Sequence, residues 1–192
     1  MARKEYLFAR ENGNAGELIR AYTFRFAETP EWTQNDDSIS SAVNPSHPEG
    51  YDNISLLSPD ACGNGVRASL KCSVEGNGCP EIILVEQPEK CPDGAVRYGA
   101  CFELVLYKNG LNVWRHYRED GRCFWHKRLG VEFPVAEKQQ HTLEMEVRDE
   151  MLFVWVDGMK MSLRTEDLFD RFHVGLTLCE GIAHAYRLTI EG

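Results

Sequence analysis

Two short turn sequences divide the stretch from Val96 to Gly130 into three segments, and they constrain the fold more than any other feature of the chain. They are Asn109-Gly110 and Asp120-Gly121. Both residue pairs tolerate the positive φ angles that a two-residue β-hairpin turn requires. The segments around them alternate between apolar and polar residues, which is typical of β-strands with one buried face. The sequence therefore predicts a three-stranded antiparallel unit.

Counting outward from two-residue turns predicts which residues face each other. Successive side chains in a strand point to opposite faces of the sheet. The predicted polar face pairs Tyr107 with Asn112, Val105 with Trp114, Glu103 with His116, His116 with Trp125, and Trp114 with Lys127. The opposite, apolar face carries Phe102, Leu104, Leu106, Leu111, Val113 and Phe124. A three-residue second turn would instead bring Phe124, His126 and Arg128 to the polar face.

The rest of the chain carries the same signals of short strands with little helix. Further strands are predicted at Leu18 to Phe26, Tyr51 to Leu57, Gly65 to Val74, Glu81 to Val85, Gln139 to Val147, Met151 to Val156, Met159 to Leu163, Phe172 to Leu178 and Ala183 to Ile190. Glu81 to Val85 (EIILV) suits a strand that is buried on both faces. We expect a long loop from Ala27 to Gly50 and a short helical turn from Thr165 to Phe169. This pattern predicts an all-β sandwich or barrel, with residues 1–192 as a single domain.

Composition limits the classes of partner. The 192 residues carry a formal net charge of −9, which argues against nucleic acid as the main partner because phosphate binding relies on concentrated Lys and Arg. The N-terminus lacks the apolar region of a secretory signal, and no apolar run has the length of a membrane span, so we expect no membrane partner. Seven cysteines without regular spacing suggest mostly reduced thiols and a cytoplasmic location.

The segment from His141 to Gly158, HTLEMEVRDEMLFVWVDG, resembles a hairpin of the concanavalin A-like lectin/glucanase superfamily. The closing segments from Val174 to Ala183 and from Tyr186 to Ile190 are similar to that superfamily's final strands. The resemblance implies a two-sheet antiparallel jelly roll, often with a glycan held on the concave side of one sheet. The motifs follow from strand and turn requirements, so they indicate a fold rather than an activity.

Two departures from the superfamily bear on activity. The E-x-D-x-x-E run of its glucanases is missing, since Glu144 and Glu146 lack a third flanking carboxylate. No loop matches the calcium loop of legume-type lectins. A metal site is conceivable from His116, His126 and Cys123, but no spacing resembles a zinc signature. We therefore expect neither a metal nor a cofactor.

The polar face of the three-stranded unit is the candidate site. Aromatic rings on it offer flat platforms for sugar rings, and its charged and amide groups can bond hydroxyls. The candidate ligand-binding residues are Glu103, Tyr107, Asn112, Trp114, His116, Arg118, Trp125 and Lys127. The main hypothesis is a domain that binds an oligo- or polysaccharide. The alternatives are a glycoside hydrolase or polysaccharide lyase with Glu103 and His116 as its acid-base pair, and a protein-interaction domain in which the tryptophan face forms a homodimer.

Overall fold

The computed structural model describes residues 2–25, 31–41 and 54–192, and β-strands dominate this part of the chain. The strands are β1 (Lys4–Leu7), β2 (Ile19–Thr23), β3 (Thr33–Gln34), β4 (Ile39–Ser40), β5 (Ile54–Leu57), β6 (Arg67–Glu75), β7 (Cys79–Val85), β8 (Glu89–Lys90), β9 (Val96–Tyr98), β10 (Cys101–Tyr107), β11 (Gly110–Glu119), β12 (Arg122–Glu132), β13 (His141–Arg148), β14 (Met151–Val156), β15 (Met159–Arg164), β16 (His173–Cys179) and β17 (Ile182–Glu191). A single turn of 3₁₀ helix, Ala15–Glu17, is the only helix among the described residues. Within the same ranges, no helix has the length and apolar character needed to cross a membrane.

The strands form two sheets. The larger sheet has the order β12-β11-β10-β7-β16-β5-β2-β9-β8, and the smaller sheet has the order β15-β14-β13-β6-β17-β4-β3, with β1 also paired to β17. Neighbouring strands run antiparallel except β2 and β9, which run parallel. The central strands of each sheet come from distant parts of the chain, so the larger sheet places β16 beside β7.

The core lies between the two sheets because each sheet turns its apolar side inward. The larger sheet contributes Ile82, Leu84, Phe102, Leu104, Leu106, Leu111, Val113, Val174, Leu176 and Leu178. The smaller sheet contributes Ala68, Leu70, Cys72, Val74, Leu143, Met145, Val147, Leu152, Val154, Val156, Ala183, Ala185, Leu188 and Ile190. The sandwich architecture predicted from the alternation of apolar residues is confirmed.

The outward face of the larger sheet is also partly buried. Tyr98 of β9 packs there with Leu57, Ile83 and Cys101 in a second apolar cluster. The Tyr98 hydroxyl shares a 2.7 Å hydrogen bond with Ser55 Oγ. Only part of this face therefore remains open to a ligand.

The long loop predicted from Ala27 to Gly50 is partly wrong. Its described portion, residues 31–41, contains β3 and β4, which pair with each other. β4 in turn pairs with β17 and so extends the smaller sheet. Residues 26–30 and 42–53, which include Phe26 and Tyr51 of two predicted strands, lie outside the described residues.

The helical turn predicted from Thr165 to Phe169 is wrong, because tertiary contacts hold this segment in a turn. The Thr165 hydroxyl donates to the carboxylate of Asp167, which also pairs with Arg128 at 3.2 Å. Phe169 packs edge-on against Phe102 in the core, with ring centroids 5.6 Å apart. The contacts with Arg128 of β12 and Phe102 of β10 outweigh a local preference for helix.

Candidate functional site

A cavity of about 320 Å³ opens on the outward face of the larger sheet. Five neighbouring strands and two turns contribute to its wall. The lining residues are Arg25, Cys79, Glu81, Glu103, Val105, Tyr107, Asn112, Trp114, His116, Trp125, Cys179 and Glu180. Its volume lies within the range of small-ligand sites, and its lining combines apolar rings with a few convergent polar groups.

The second hairpin of the three-stranded unit, β11 and β12, has the predicted register. Asp120 and Gly121 form its two-residue turn with φ angles of 48° and 76°. His116 consequently lies opposite Trp125, and Trp114 lies opposite Lys127. The alternative with a three-residue turn is therefore wrong.

The pairing in the first hairpin, β10 and β11, is shifted by two residues from the predicted register. Tyr107 faces Gly110 instead of Asn112, and Glu103 faces Trp114 instead of His116. Gly110 belongs to β11 because the backbone of β12 passes so close that an added Cβ would lie 2.1 Å from the Val131 carbonyl oxygen. A shift of two residues leaves every side chain on its predicted face.

Glu103 and His116 still meet, although they are diagonal rather than direct neighbours. Glu103 Oε2 lies 2.7 Å from His116 Nε2, and both side chains are nearly buried. A hydrogen bond of this length between a carboxylate and an imidazole fixes the orientation of both groups. The predicted pair is present in the structure.

Cys101 lies beneath this pair. It is the residue directly opposite His116 in β11, and its thiol donates a weak hydrogen bond of 3.7 Å to Glu103 Oε1. Burial, reinforced by the nearby carboxyl groups of Glu103 and Glu81, raises the pKa of the Cys101 thiol well above its usual value. Cys101, Glu103 and His116 each offer one ligand atom, and these atoms all lie within 4.8 Å of one another.

Glu81 is a second carboxyl group in the cavity wall, and it is not among the site residues predicted from the sequence. Its side chain is 3% exposed, and the Cys179 thiol donates to its Oε1 at 2.9 Å, while Oε2 has no hydrogen-bond partner. Burial raises the pKa of Glu81 well above its usual value, and the neighbouring charge of Glu103 raises it further. The wall therefore holds a carboxyl group that stays protonated when ordinary carboxyl groups ionise.

The opposite end of the cavity carries two cysteines and a third carboxyl group. Cys79 of β7 lies directly across from Cys179 of β16. The Cys79 thiol donates to Glu180 Oε2 at 3.7 Å, and burial raises the pKa of Glu180. All seven cysteines of the chain are free thiols.

Cations lie over the rings of both cavity tryptophans. The Arg25 guanidinium carbon lies 4.4 Å from the centroid of the Trp125 ring, and Lys127 Nζ lies 5.1 Å from that of Trp114. Trp125 also stacks with the His116 ring at a centroid distance of 6.5 Å and remains 45% exposed. The aromatic wall is therefore framed by positive charge but still reaches solvent.

The structure brings most of the predicted ligand-binding residues together. Six line the cavity, namely Glu103, Tyr107, Asn112, Trp114, His116 and Trp125, and Lys127 adjoins them over Trp114. Arg118 is an exception, because the hairpin extends beyond the cavity and places its guanidinium 4.1 Å from the Phe24 ring centroid. Asn112 Oδ1 is buried and has no hydrogen-bond partner.

The turn end of the second hairpin extends past the core. Phe124 lies opposite Tyr117 on the predicted face, but it is 37% exposed and stacks on Tyr117, because β12 is the edge strand. His126 also packs against Tyr117, on the face opposite to His116, so the conceivable metal group of His116, His126 and Cys123 does not form.

The sequence matches no protein-family model and no curated protein. Its structure, in contrast, is similar to solved ones. The carbohydrate binding module CBM66 from Bacillus subtilis covers 85% of this chain and 92% of its own at 12% identity, with a TM-score of 0.61. The chain has the concanavalin A-like jelly-roll fold. The structure is also similar to Bacillus licheniformis β-glucanase, which matches 100% of this chain and 99% of its own at 12% identity and a TM-score of 0.63.

A third similar jelly roll is β-agarase A from Zobellia galactanivorans, with 99% of this chain and 93% of that chain covered, 8% identity and a TM-score of 0.64. Identities this low establish the shared fold alone.

Proposed function

We propose that this jelly roll binds an oligo- or polysaccharide in the cavity of the larger sheet. The observation that carries the proposal is the composition of the cavity wall, in which two tryptophans and a tyrosine stand beside polar groups on one face. Sugar rings combine apolar C–H faces with hydroxyl edges, and such a wall offers a surface for each. Proteins of the same fold with names such as carbohydrate binding module and β-glucanase support the proposal.

One polar contact would come from an atom that lacks a partner within the protein. Asn112 lies in the cavity wall, and its Oδ1 is buried without a hydrogen-bond partner. An unpaired buried polar atom costs about 1–3 kcal/mol, and a ligand hydroxyl would remove that cost. Trp125, which is partly exposed, would supply the stacking surface.

The experiment is glycan-array binding, followed by titration of the best ligand. Trp125→Ala and Trp114→Ala should each weaken binding about tenfold, equivalent to ~1.4 kcal/mol. Trp155→Ala is the matched control, because Trp155 lies on β14 in the other sheet. The proposal fails if the wild-type protein binds no glycan, or if Trp155→Ala reduces binding as much as the cavity variants do.

A second candidate is a glycoside hydrolase, and the observation that favours it is the pair of unlike carboxyl groups. The raised pKa of Glu81 makes it a proton donor, while Glu103 is hydrogen-bonded to His116. Hydrolysis of a glycosidic bond needs one protonated and one ionised carboxyl group. This candidate ranks second because Glu81 is almost inaccessible, with its Oε1 already bonded to Cys179.

Turnover assays separate the two candidates. If the protein hydrolyses its glycan, Glu81→Gln and Glu103→Gln should each lower turnover at least about 100-fold while binding persists. Hydrolysis that survives both substitutions contradicts the roles given to Glu81 and Glu103, and binding with no turnover by the wild-type protein rules out the hydrolase.

A further inference from the structure

Three side chains of metal-binding types converge at one end of the cavity. Glu103 and Cys101 lie two residues apart on β10 and so share a face, and His116 of β11 lies directly opposite Cys101. The distances are 3.7 Å from Cys101 Sγ to Glu103 Oε1 and 2.7 Å from Glu103 Oε2 to His116 Nε2. No other such group occurs in the described ranges of the chain.

These separations are close to those around a tetrahedral zinc ion. Bonds of about 2.3 Å to sulfur and about 2.1 Å to nitrogen or oxygen place sulfur and oxygen ligands about 3.6 Å apart, and nitrogen and oxygen ligands about 3.4 Å apart. The distance from Cys101 Sγ to Glu103 Oε1 is already close to the first of these values. His116 Nε2 contacts the other carboxylate oxygen, Oε2, and would need to separate from it by about 0.7 Å from the present 2.7 Å if Oε2 were the ligand.

The burial of the three residues gives the group a closed side and an open side. Cys101 is 2% exposed and lies behind the cavity wall, whereas Glu103 and His116 form part of that wall. An ion held between them would have three protein ligands and one coordination position directed to the cavity. Three ligands with an open fourth position are typical of catalytic rather than structural zinc sites.

We propose that Cys101, Glu103 and His116 bind one zinc-type divalent ion whose fourth position faces the cavity. A thiolate and an imidazole select zinc and similar transition metals over calcium and magnesium, which prefer oxygen ligands. On binding, the Cys101 thiol loses its proton to solvent and the sulfur forms the metal bond. The Glu103 to His116 hydrogen bond breaks, and its proton moves through solvent to Nδ1 of the imidazole, which leaves a lone pair on Nε2. Nε2 and the Glu103 carboxylate then bind the metal, so one proton is released per ion.

The test uses cobalt(II) as a spectroscopic stand-in for zinc on chelator-treated full-length protein. The wild-type protein should bind one Co²⁺ per chain, with a thiolate-to-cobalt charge-transfer band and the visible bands of tetrahedral cobalt. Zn²⁺ should remove these bands in equimolar amount, and Ca²⁺ should leave them. Cys101→Ser should abolish the charge-transfer band and weaken Co²⁺ binding at least about tenfold. Even the loss of a residue that only hydrogen-bonds to a metal ligand typically weakens metal affinity by about that factor.

Cys123→Ser is the matched control, because Cys123 is a half-buried thiol on β12 outside the group. It should keep the band and the affinity. His116→Gln is the second variant, for the case in which Cys101→Ser does not fold by circular dichroism, and it should also weaken binding at least about tenfold.

The proposal is overturned if Co²⁺ does not bind stoichiometrically, or if the charge-transfer band survives in Cys101→Ser or His116→Gln with unchanged affinity. Because the metal alone is the probe, the outcome does not depend on glycan binding. If the protein binds cobalt but binds no glycan, only the carbohydrate proposal is refuted.

Discussion

Replacing Glu81 by Gln should stabilise the protein at neutral pH, although it removes a charged residue type from a central strand. Glu81 is buried, and burial together with the charge of Glu103 raises its pKa well above the usual 4.5. The folded protein therefore holds this proton more tightly than the unfolded chain does. In the wild-type protein, the contribution of Glu81 to the free energy of unfolding is fully present below pH 4.5. It falls as the pH rises from 4.5 to the pKa of Glu81 in the folded state.

The size of the effect follows from proton linkage. Each pH unit within that window removes about 1.4 kcal/mol of wild-type stability, because one proton is bound by the folded state and not by the unfolded state. Glu81→Gln is nearly isosteric, keeps an acceptor for the Cys179 thiol and does not titrate. The variant should therefore be more stable than the wild type at pH 7, with a difference that grows as the pH rises through this window and is small at pH 4.

Urea unfolding between pH 4 and pH 8 measures this difference, with stability obtained by linear extrapolation. Glu86→Gln is the control, because Glu86 follows the same strand but is exposed. Its difference from wild type should stay within about 0.5 kcal/mol at every pH. A Glu81→Gln difference that does not change with pH would show that folding does not raise the pKa of Glu81 and would refute the argument.

Two further predictions concern the turns and the His141 hydrogen bonds. Gly110→Ala should lower the free energy of unfolding in urea by at least about 3 kcal/mol, since the added Cβ would clash with the β12 backbone. Gly121→Ala should lower it by only about 1–2 kcal/mol, because Gly121 has a positive φ but open space around it. Equal losses of stability would contradict the close approach of Gly110 to β12. Burial opposes protonation of His141, but hydrogen bonds to the Ala136 carbonyl and the Asp157 carboxylate outweigh it and raise the pKa. Asp157→Asn should lower this pKa in an NMR titration and destabilise the protein more at pH 5.5 than at pH 8, because a raised imidazole pKa stabilises below 6.5 and loses its effect as pH rises through the folded value; an unchanged titration would contradict this role of Asp157.

The faces of the strands could be predicted from the sequence because alternation is a local property. The inner residues of β10 and β11 follow from counting in twos, and Asp120-Gly121 forms the turn that its residue types favour. The first hairpin was misregistered because its turn depends on Gly110, which is fixed by contact with a third strand. Side-chain faces survived this error because the shift was even.

The composition of the cavity could be predicted only in part, since two of the strands that line it, β7 and β16, lie outside the three-stranded unit in the sequence. Glu81 begins an apolar run, EIILV, and alternation within that run places it on the outward face with Glu103. Cys179, which bonds it, lies 98 residues further along the chain. The polar residue at the start of the run was the available signal, whereas the contributions of Arg25 and Glu180 depend on the sheet order.

The most direct test of carbohydrate binding uses the chain's four tryptophans as reporters, because two line the cavity and Trp155 lies on the other sheet. Indole N–H signals, assigned by single Trp→Phe variants, are followed by ¹H–¹⁵N NMR while the best array glycan is added. We expect saturable shifts for Trp114 and Trp125 with a common dissociation constant and no shift for Trp155. Saturation that moves Trp155 while Trp114 and Trp125 stay unchanged would contradict the proposed site.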